Sequence, residues 1–586
     1  MPNFNRKLIT TYSKVYGVKK EINDEELSAL DKNTWAKVLA RLNHLARTES
    51  NYTIDKVIND WFSRDNAEYA NEIYRKIVDG YRQIDVDPRG LTTINIWSNL
   101  TLLELILKSE HQPEHVLDNS SSENQLLDIY LAINEIYGEK SDGIFATVSE
   151  EKFANIVDRF ARVTLTLLIP YHDLNHFKAV ELLVVNFIKS YYCLNFLAES
   201  HQDLLALFVQ QYGVDTWRSY LKGILPIANH AIAVGDNSGL NYLNLDGHED
   251  KARARKFLDF LALVDDTNYR STTDFLHARS KPLFKVGEDN YLILDSVLAV
   301  NRIYNSMFFE LLRLAERNTN LNPRYGDFFS LYTYDYIEKY LSYKILNKIF
   351  EKTQYYRISG EEIVAKYHID TEPDFYVRNG NKAFIFEVKG SVVTGASKQS
   401  FTYTTIEQEL KSKYLFNEED DENKAIVQLV ERIRILFSGA AVYDEHYSAK
   451  NLRVFPILII SELALTTPGI NYVMNQWFWD EIEKHEILSS NKHRIEELVI
   501  MDIDFLILYS QKLQQKGLFE SLIYDYTSSI DKRKATPRPG QRKTQEQVEK
   551  SIMNCFQPFS AFVKDGHKAQ TPDIFIEFGK DVLGDT

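Results

Sequence analysis

The stretch of sequence that most constrains the fold is EPDFYVRNGNKAFIFEVKG, residues 372–390. Two apolar arms surround Asn379-Gly380, the dipeptide preferred at the centre of a two-residue type I′ hairpin turn. Pairing outward from that turn places Asp374 opposite Ile385. The stretch therefore predicts a β-hairpin whose first arm begins, and whose second arm ends, with charged residues.

On this register, Asp374 shares one face of the hairpin with Glu387 and Lys389, because side chains alternate along a strand. The Cβ atoms of Asp374 and Glu387 are then roughly 5–8 Å apart. Two carboxylates at that separation can hold Mg²⁺, which prefers a few carboxylate oxygens together with water and substrate phosphate. Such a cation lowers the pKa of its bound water, and a neighbouring lysine can stabilise developing charge. The pattern predicts a hydrolytic metal site.

The alternative for the triplet 387–389 is an ordinary strand end with a surface ion pair. Glu-x-Lys triplets also occur in this chain, mostly in polar surroundings, at 150–152, 249–251, 409–411 and 422–424. The triplet 387–389 differs from them because it closes an apolar run and has Pro373-Asp374 one hairpin upstream. This combination favours a site over a solvated strand end.

The rest of the chain predicts a mixed α/β protein with a large all-α N-terminal region. Up to about residue 265, apolar residues recur at three- and four-residue spacings, as in TWAKVLARLNHLAR (34–47), which is typical of amphipathic helices. PLFKVGEDNYLILDS (282–296) predicts a hairpin. From 328 to 513 the order is helix–strand–strand–helix–strand–helix–strand, which indicates a mixed sheet covered by helices.

Pro373-Asp374, followed after a hydrophobic strand by Glu387-Val388-Lys389, resembles the active-site signature of the PD-(D/E)XK nuclease superfamily. The order of elements from 328 to 513 resembles the αββαβ, restriction-endonuclease-like core of that superfamily, with a mixed central sheet. The resemblance covers about a third of the chain. It implies Mg²⁺ or Mn²⁺ held by Asp374, Glu387 and the carbonyl of Val388, with Lys389 assisting the attacking water.

The changes of sequence pattern along the chain, together with the resemblance, predict a division into four parts. These are a helical sensor or assembly region (1–265), a hairpin-plus-helix connector (266–325), a nuclease-like domain (326–525), and a basic linker with a C-terminal tail (526–586).

Three further residues are candidates by the same resemblance. Glu338, with Asp335 as the nearby alternative, matches an acidic residue on the helix before the hairpin. Gln428 matches a glutamine on the helix after the Glu-x-Lys strand, and Arg432, one turn further, could meet a phosphate. The alternative for these residues is a solvated polar helix face.

Two polar segments depart from the pattern. The residues between Lys389 and the Gln428 helix predict a loop that gates or contacts substrate, with the acidic cluster 418–422 as a solvated turn or partner-facing surface. DKRKATPRPGQRK (531–543) has six basic residues and one acid, which indicates a flexible linker or a phosphate-contacting arm. TPDIFIEFGK (571–580) predicts a terminal strand or a docking tail.

Composition favours a cytoplasmic protein that does not enter a membrane. Two cysteines, Cys193 and Cys555, form no disulfide framework. The N-terminus has no apolar signal-peptide region, and apolar stretches such as 163–170 are far shorter than the ~20 residues that span a bilayer. The net charge of −15 means that a polyanion must be met by a local basic surface or bound cations.

The sequence therefore predicts a metal-dependent endonuclease of anti-phage defence or restriction. DNA is favoured over RNA as the substrate by the resemblance alone, and an RNA-directed nuclease stays open. A homo-oligomer or a protein partner such as an ATPase or helicase is expected. The alternative is a binding or scaffolding protein with a degenerate nuclease core, which the acidic charge and the large helical region favour.

Overall fold

A computed structural model describes residues 8–584 apart from 29, 49–52, 85, 88–89, 110–118, 151–155, 176–177, 234–239, 264–272, 370 and 531–543. The chain forms two compact units that interleave along the sequence. The first comprises Met1–Gly143, Leu174–Asn186 and Leu207–Met307, and the second comprises Ile144–Asp173, Phe187–Ala206 and Phe308–Thr586. Two stretches from the helical N-terminal region thus belong to the unit that contains the hairpin 372–390.

The described N-terminal region is mainly helical, as the three- and four-residue spacing of its apolar residues predicts. Its helices are α1 Tyr12–Tyr16, α2 Asp24–Leu27, α3 Lys32–Thr48, α4 Ile54–Trp61, α5 Ala67–Arg82, α6 Ile96–Lys108, α7 Asn119–Glu150, α8 Ile156–Leu168, α9 His172–Asn175, α10 Ala179–Ser200, α11 Gln202–Tyr212, α12 Trp217–Ile232 and α13 Lys251–Leu261.

The prediction that this region is all-α was wrong in detail, because it also contains short strands. These are the parallel pair β1 Leu8–Ile9 and β2 Leu91–Thr92, followed by β3 Asn241–Asn244 and β4 Ala262–Leu263. Strands of two to four residues are too short to show a period of two in the sequence.

The predicted hairpin at 282–296 is confirmed. After α14 Leu276–Ser280, the strands β5 Leu283–Lys285 and β6 Asn290–Ile293 pair antiparallel. β3 pairs with β6 and β4 pairs with β5, which gives a four-stranded sheet of order β3-β6-β5-β4. The next helix, α15 Ser296–Asn301, begins where the Asp295 side chain accepts a hydrogen bond from Leu298 N at 2.8 Å.

A long helical stretch leads to the second sheet. After α16 Asn305–Arg317, the chain passes without a break through α17 Phe328–Ser330, the π-helical segment Leu331–Leu341 and α18 Ser342–Phe350. The strand β7 Tyr356–Ser359 and the helix α19 Gly360–Tyr367 follow. Ser359 and Glu362 form a capping box that starts α19, since each satisfies a backbone N–H that the first turn leaves free.

The second sheet has five strands in the order β13-β12-β9-β8-β7. Besides β7, its strands are β8 Phe375–Asn379, β9 Lys382–Lys389, β12 Arg453–Ile460 and β13 Val499–Asp502. Between β9 and β12 lie α20 Gly395–Lys398, α21 Tyr403–Tyr414, the short strands β10 Phe416–Asn417 and β11 Glu422–Asn423, and α22 Ala425–Phe437. The helices α23 Ile470–Glu483 and α24 Glu486–Ser489 lie between β12 and β13, and α25 Ile503–Leu513 follows β13. β7, β8 and β9 are antiparallel neighbours, whereas β9, β12 and β13 run parallel. The mixed sheet was predicted, but β7 and α19 ahead of the hairpin were not.

One of the two expectations about the polar segment after Lys389 needs correction. The stretch between β9 and α22 is not an open loop, because it folds into α20, α21 and the small β10–β11 pair. The acidic cluster 418–422 is exposed at the tip of that pair, as expected of a solvated turn.

The C-terminal part is helical, with α26 Leu518–Ser529, α27 Gln545–Asn554, α28 Phe559–Gly566 and α29 Asp573–Leu583. The expectation of a strand at 571–580 was wrong. Pro572 precedes the first turn, and Ile574, Phe578 and Val582 recur every four residues and are buried, which is helical spacing. The basic segment 531–543 lies outside the described residues.

One described helix, α10, is long and apolar enough to cross a membrane by length and composition, contrary to the expectation that no stretch reaches that length. However, 72% of its most apolar window is buried inside the protein. It also carries Lys189, whose Nζ lies 2.7 Å from Asp504 Oδ1. A core helix of a soluble protein has these features.

Candidate active site

The hairpin register differs from the prediction by one residue on each arm. Asn379 pairs with Lys382, so Gly380 and Asn381 form the turn instead of Asn379-Gly380. Gly380 has φ +61°, which suits the first central position of a type II′ turn. The local sequence allows both turns, and the packing of the sheet chooses between them.

The corrected register brings the predicted carboxylates closer. The last pair of the β8–β9 ladder is Phe375 with Phe386, so the next step places Asp374 directly opposite Glu387 and not opposite Ile385. The two registers differ by an even number of residues, and Asp374 therefore keeps the face that was predicted.

Asp374, Glu387 and Lys389 meet at the carboxyl end of β9. Lys389 Nζ lies 2.9 Å from Glu387 Oε1, and the two side chains are only 16% and 4% exposed. The backbone N–H of Val388 donates a hydrogen bond to Asp374 Oδ2 at 2.7 Å. The ion pair exists, as the alternative interpretation expected, but it is buried and not a surface pair.

Glu338 joins this group from the π-helical segment. It is 9% exposed, and its Oε1 accepts a hydrogen bond from Gly390 N at 2.8 Å. Asp335, the alternative acid, pairs with Arg324 instead. The Glu338 carboxylate thus holds the backbone of Gly390, which directly follows Lys389.

The electrostatics of the group are dominated by burial and like charge. Burial and the charge of Glu387 raise the pKa of Asp374 well above its usual range, although Lys389 and the Val388 N–H oppose the rise. Burial also raises the pKa of Glu338. Burial alone would lower the pKa of Lys389, but Glu387, Glu338 and Asp374 together raise it. Three carboxyl groups therefore interact with one ammonium group, and the raised pKa of Asp374 reflects burial and that imbalance.

A hard divalent cation fits this chemistry, although the site is not a ready-made metal cage. Among the described residues, no group of three or more His, Cys, Asp or Glu side chains is placed to hold a metal ion. Mg²⁺ commonly uses one or two carboxylates and takes its other ligands from water and substrate phosphate. Asp374 and Glu387 supply two such carboxylates, and their mutual repulsion is what a cation would relieve.

The helix α22 covers the face of the sheet on which these side chains lie. Tyr376, two residues after Asp374, packs against Tyr443 with ring centroids 5.3 Å apart. Arg432 acts electrostatically on the same Tyr443 and donates from Nε to the carbonyl of Glu372 at 2.8 Å. Arg432 thus supports the backbone just before Asp374.

Gln428 lies on α22 one turn before Arg432, and its Oε1 is buried with no hydrogen-bond partner among the residues that the structure describes. A buried acceptor without a partner costs about 1–3 kcal/mol. This cost is consistent with a Gln428 side chain that accepts a hydrogen bond only when a ligand is bound.

Sequence reasoning missed Tyr343, Lys398 and Glu462. Burial raises the pKa of Tyr343 and the charge of Asp374 raises it further, so this phenol is within electrostatic range of the candidate site. Lys398 Nζ lies 3.5 Å from Glu462 Oε1, and both side chains are largely buried. Glu462 follows the end of β12, and Ile460 pairs there with Lys389. The tendency of sites to lie at the carboxyl ends of parallel strands was the signal that could have found Glu462.

Side chains of α21 and Glu462 also hold the chain that leaves β9. Tyr414 donates to the carbonyl of Ser391 at 3.1 Å, and Glu409 accepts from Thr394 N at 2.6 Å. Glu462 accepts a hydrogen bond from Val393 N. This exit segment, residues 390–394, is therefore fixed by side chains of α21, by Glu462 and, at Gly390, by Glu338.

No family model, curated protein or solved structure matches this chain. The assignment of a function therefore depends on the geometry described above and on the resemblance of its motif.

Replacing Gly390 with alanine is expected to separate the helix from the end of β9. A Cβ atom at Gly390 would lie 2.8 Å from both the main-chain oxygen and the Cβ of Thr333, so backbone must move. We expect Gly390→Ala to lower the free energy of unfolding by about 1–3 kcal/mol, measured by urea denaturation. Gly326→Ala is the matched control, since an added Cβ there meets nothing within 4 Å. Equal stability of the two variants would contradict the close approach of Gly390 to Thr333.

Proposed function

We propose that this protein is a divalent-cation-dependent nuclease that hydrolyses phosphodiester bonds, with a PD-(D/E)XK-like site. The observation that carries the proposal is the buried group of Asp374, Glu387, Lys389 and Glu338 at the carboxyl end of β9. Its excess of carboxylates over ammonium groups suits a bound Mg²⁺ or Mn²⁺.

Each residue has a proposed role. Asp374 and Glu387 would hold the cation, with the Val388 carbonyl as a further ligand; when bound, it would supply polarisation of the phosphoryl group and a bound water of lowered pKa. Lys389 orients the attacking water and stabilises the charge that develops on the phosphoryl oxygens. Glu338 positions the strand end through Gly390, and Gln428 supplies a polar contact from α22.

DNA is the proposed substrate, and a role in anti-phage defence or restriction in the cytoplasm is the proposed context. The large helical region would then sense a signal, or assemble with further copies or with an ATPase or helicase partner. These statements are supported by the resemblance of the motif and by analogy with helical appendages on other nucleases. The assay should include supercoiled DNA, linear DNA and RNA, each with Mg²⁺.

A second candidate function is a scaffold with a degenerate nuclease core. The net charge of −15 and the pairing of Lys389 with Glu387 at 2.9 Å favour it, because a lysine held by a metal ligand is not free to act on water. If the wild-type protein cuts none of these nucleic acids, alone or with its genomic neighbours, the scaffold replaces the nuclease as the better proposal.

Binding of the cation is testable without activity. We expect Mg²⁺ or Mn²⁺ to raise the melting temperature of the wild-type protein, since a ligand that binds only the folded state stabilises it. Without metal at pH 8, Asp374→Asn should be as stable as wild type or up to about 1 kcal/mol more stable, because it removes a charge that burial and Glu387 disfavour. Differential scanning fluorimetry with and without cation measures both effects. A metal response that persists in Asp374→Asn would exclude Asp374 as a ligand.

A further inference from the structure

An exposed aromatic ring lies on the π-helical segment that carries Glu338. Tyr334 is 48% exposed, whereas Tyr332 and Tyr336 on the same segment are buried. The half-buried phenol of Tyr343 is within electrostatic range of both Asp374 and Tyr334. Tyr334 also precedes Glu338 by four residues on the same helical segment, so its ring lies within one helical turn of a residue of the candidate active site.

The π-helical geometry brings a cation to this ring. Lys339 Nζ lies 4.4 Å from the centroid of Tyr334. In an α-helix, residues five apart are turned about 140° from each other around the axis. The wider i→i+5 repeat of the π-helix brings them to one side, and Leu331–Leu341 has this conformation. An aromatic face and an ammonium group are thus presented together, next to Glu338.

Lys339 is only weakly engaged by other charges. Its Nζ lies 3.6 Å from Glu361 Oε1, and the two side chains are 31% and 57% exposed. An exposed ion pair of this kind contributes little to stability. A phosphate group can therefore replace Glu361 as the partner of Lys339 with little loss.

From this arrangement we infer that the site takes an unpaired DNA strand, with one base stacked on Tyr334 and a neighbouring phosphate held by Lys339. The inference rests on the proposed nuclease function and names its substrate class. An unpaired strand fits because stacking on a side chain needs an open base face, and paired, stacked bases in a duplex have none. Such a contact stabilises by about 1–3 kcal/mol per base and tolerates any sequence. It also supplies local attraction in a protein whose net charge is −15.

Binding of a fluorescein-labelled oligothymidylate and of a blunt duplex of equal length tests the inference. The full-length chain with Lys389→Met and Mg²⁺ is used, so that cleavage does not disturb the titration. Adding Tyr334→Ala should raise the Kd for the single strand about 5- to 150-fold and leave the Kd for the duplex unchanged. Tyr334→Phe should retain single-strand binding, because the ring is kept. Glu361→Gln should tighten it several-fold, because it removes the charge that competes with phosphate.

Tyr242→Ala is the matched control, since Tyr242 is a 38% exposed tyrosine of β3 in the first unit. Equal effects of Tyr334→Ala and Tyr242→Ala, or tighter binding of the blunt duplex than of the single strand, would overturn the inference. If duplex DNA is cleaved at a rate that depends on Lys389 and is unchanged in Tyr334→Ala, the nuclease proposal stands and only the unpaired-strand inference fails. If single-strand binding depends on Tyr334 but the protein cuts nothing, Tyr334 and Lys339 form a binding surface and the catalytic proposal is refuted.

Discussion

Replacing Lys389 with methionine is expected to lower the rate of DNA cleavage at least ~100-fold, the usual effect of removing one preorganised charge from a hydrolytic site. Methionine keeps the apolar length of the side chain and removes the ammonium. Lys389 is the cation that faces Glu387, Glu338 and Asp374, so the loss should fall on the rate of the chemical step and not on DNA affinity. Single-turnover cleavage of supercoiled and linear DNA with Mg²⁺ separates the two.

Lys382→Met is the matched control for this experiment. Lys382 lies at the other end of the same strand and pairs with Glu520, so its loss alters charge and strand composition equally without touching the site. Wild-type cleavage rates are expected for Lys382→Met. Equal rates for Lys389→Met and Lys382→Met would leave the catalytic role of Lys389 without support.

Breaking the buried ion pair between Lys189 and Asp504 is expected to have the largest effect on stability. The two charged atoms are 2.7 Å apart, and the side chains are 3% and 9% exposed. Asp504→Ala leaves a buried ammonium without its carboxylate, which typically costs about 3–5 kcal/mol. Urea denaturation followed by circular dichroism measures this loss.

The reverse variant, Lys189→Met, should be less damaging and should depend on pH. Burial, together with Asp502, raises the pKa of Asp504, although Lys189 opposes the rise. Without Lys189 the pKa of Asp504 in the folded protein rises further above its unfolded value. The folded state then favours the protonated acid, so stability falls as pH rises from the unfolded pKa to the folded pKa. Lys189→Met should therefore be closer to wild type at pH 5 than at pH 8.

The double variant Lys189→Met with Asp504→Leu completes the test. An apolar pair that fills a similar volume often equals or exceeds a buried ion pair in stability. Recovery of most of the loss seen in Asp504→Ala would show that removing the carboxylate from the buried ammonium, and not lost packing, causes that loss. A double variant as unstable as Asp504→Ala, or a pH-independent Lys189→Met, would contradict the account.

Much of the fold follows from local patterns in the sequence. The N-terminal helices, the hairpin at 282–296, the buried strand β12 and the β13–α25 unit all have apolar periods or runs that local rules predict. The errors occur where the local signal is ambiguous. TPDIFIEFGK satisfies strand and helix patterns alike, and its packing decides for α29. The segment after Lys389 is polar, yet α21 forms because it buries Tyr403, Ile406, Leu410 and Tyr414.

By itself, the sequence of this protein determines that Asp374, Glu387 and Lys389 occupy one face of a hairpin, because the alternation of side chains survives any shift of the register by an even number of residues. Only the tertiary structure decides which residues turn the hairpin, how deeply the charges are buried, and that Glu338 reaches Gly390. It also decides that Tyr334 and Lys339 lie on one side of a π-helical segment. These features depend on contacts between elements distant in sequence and on a helix repeat that no local pattern of residues specifies.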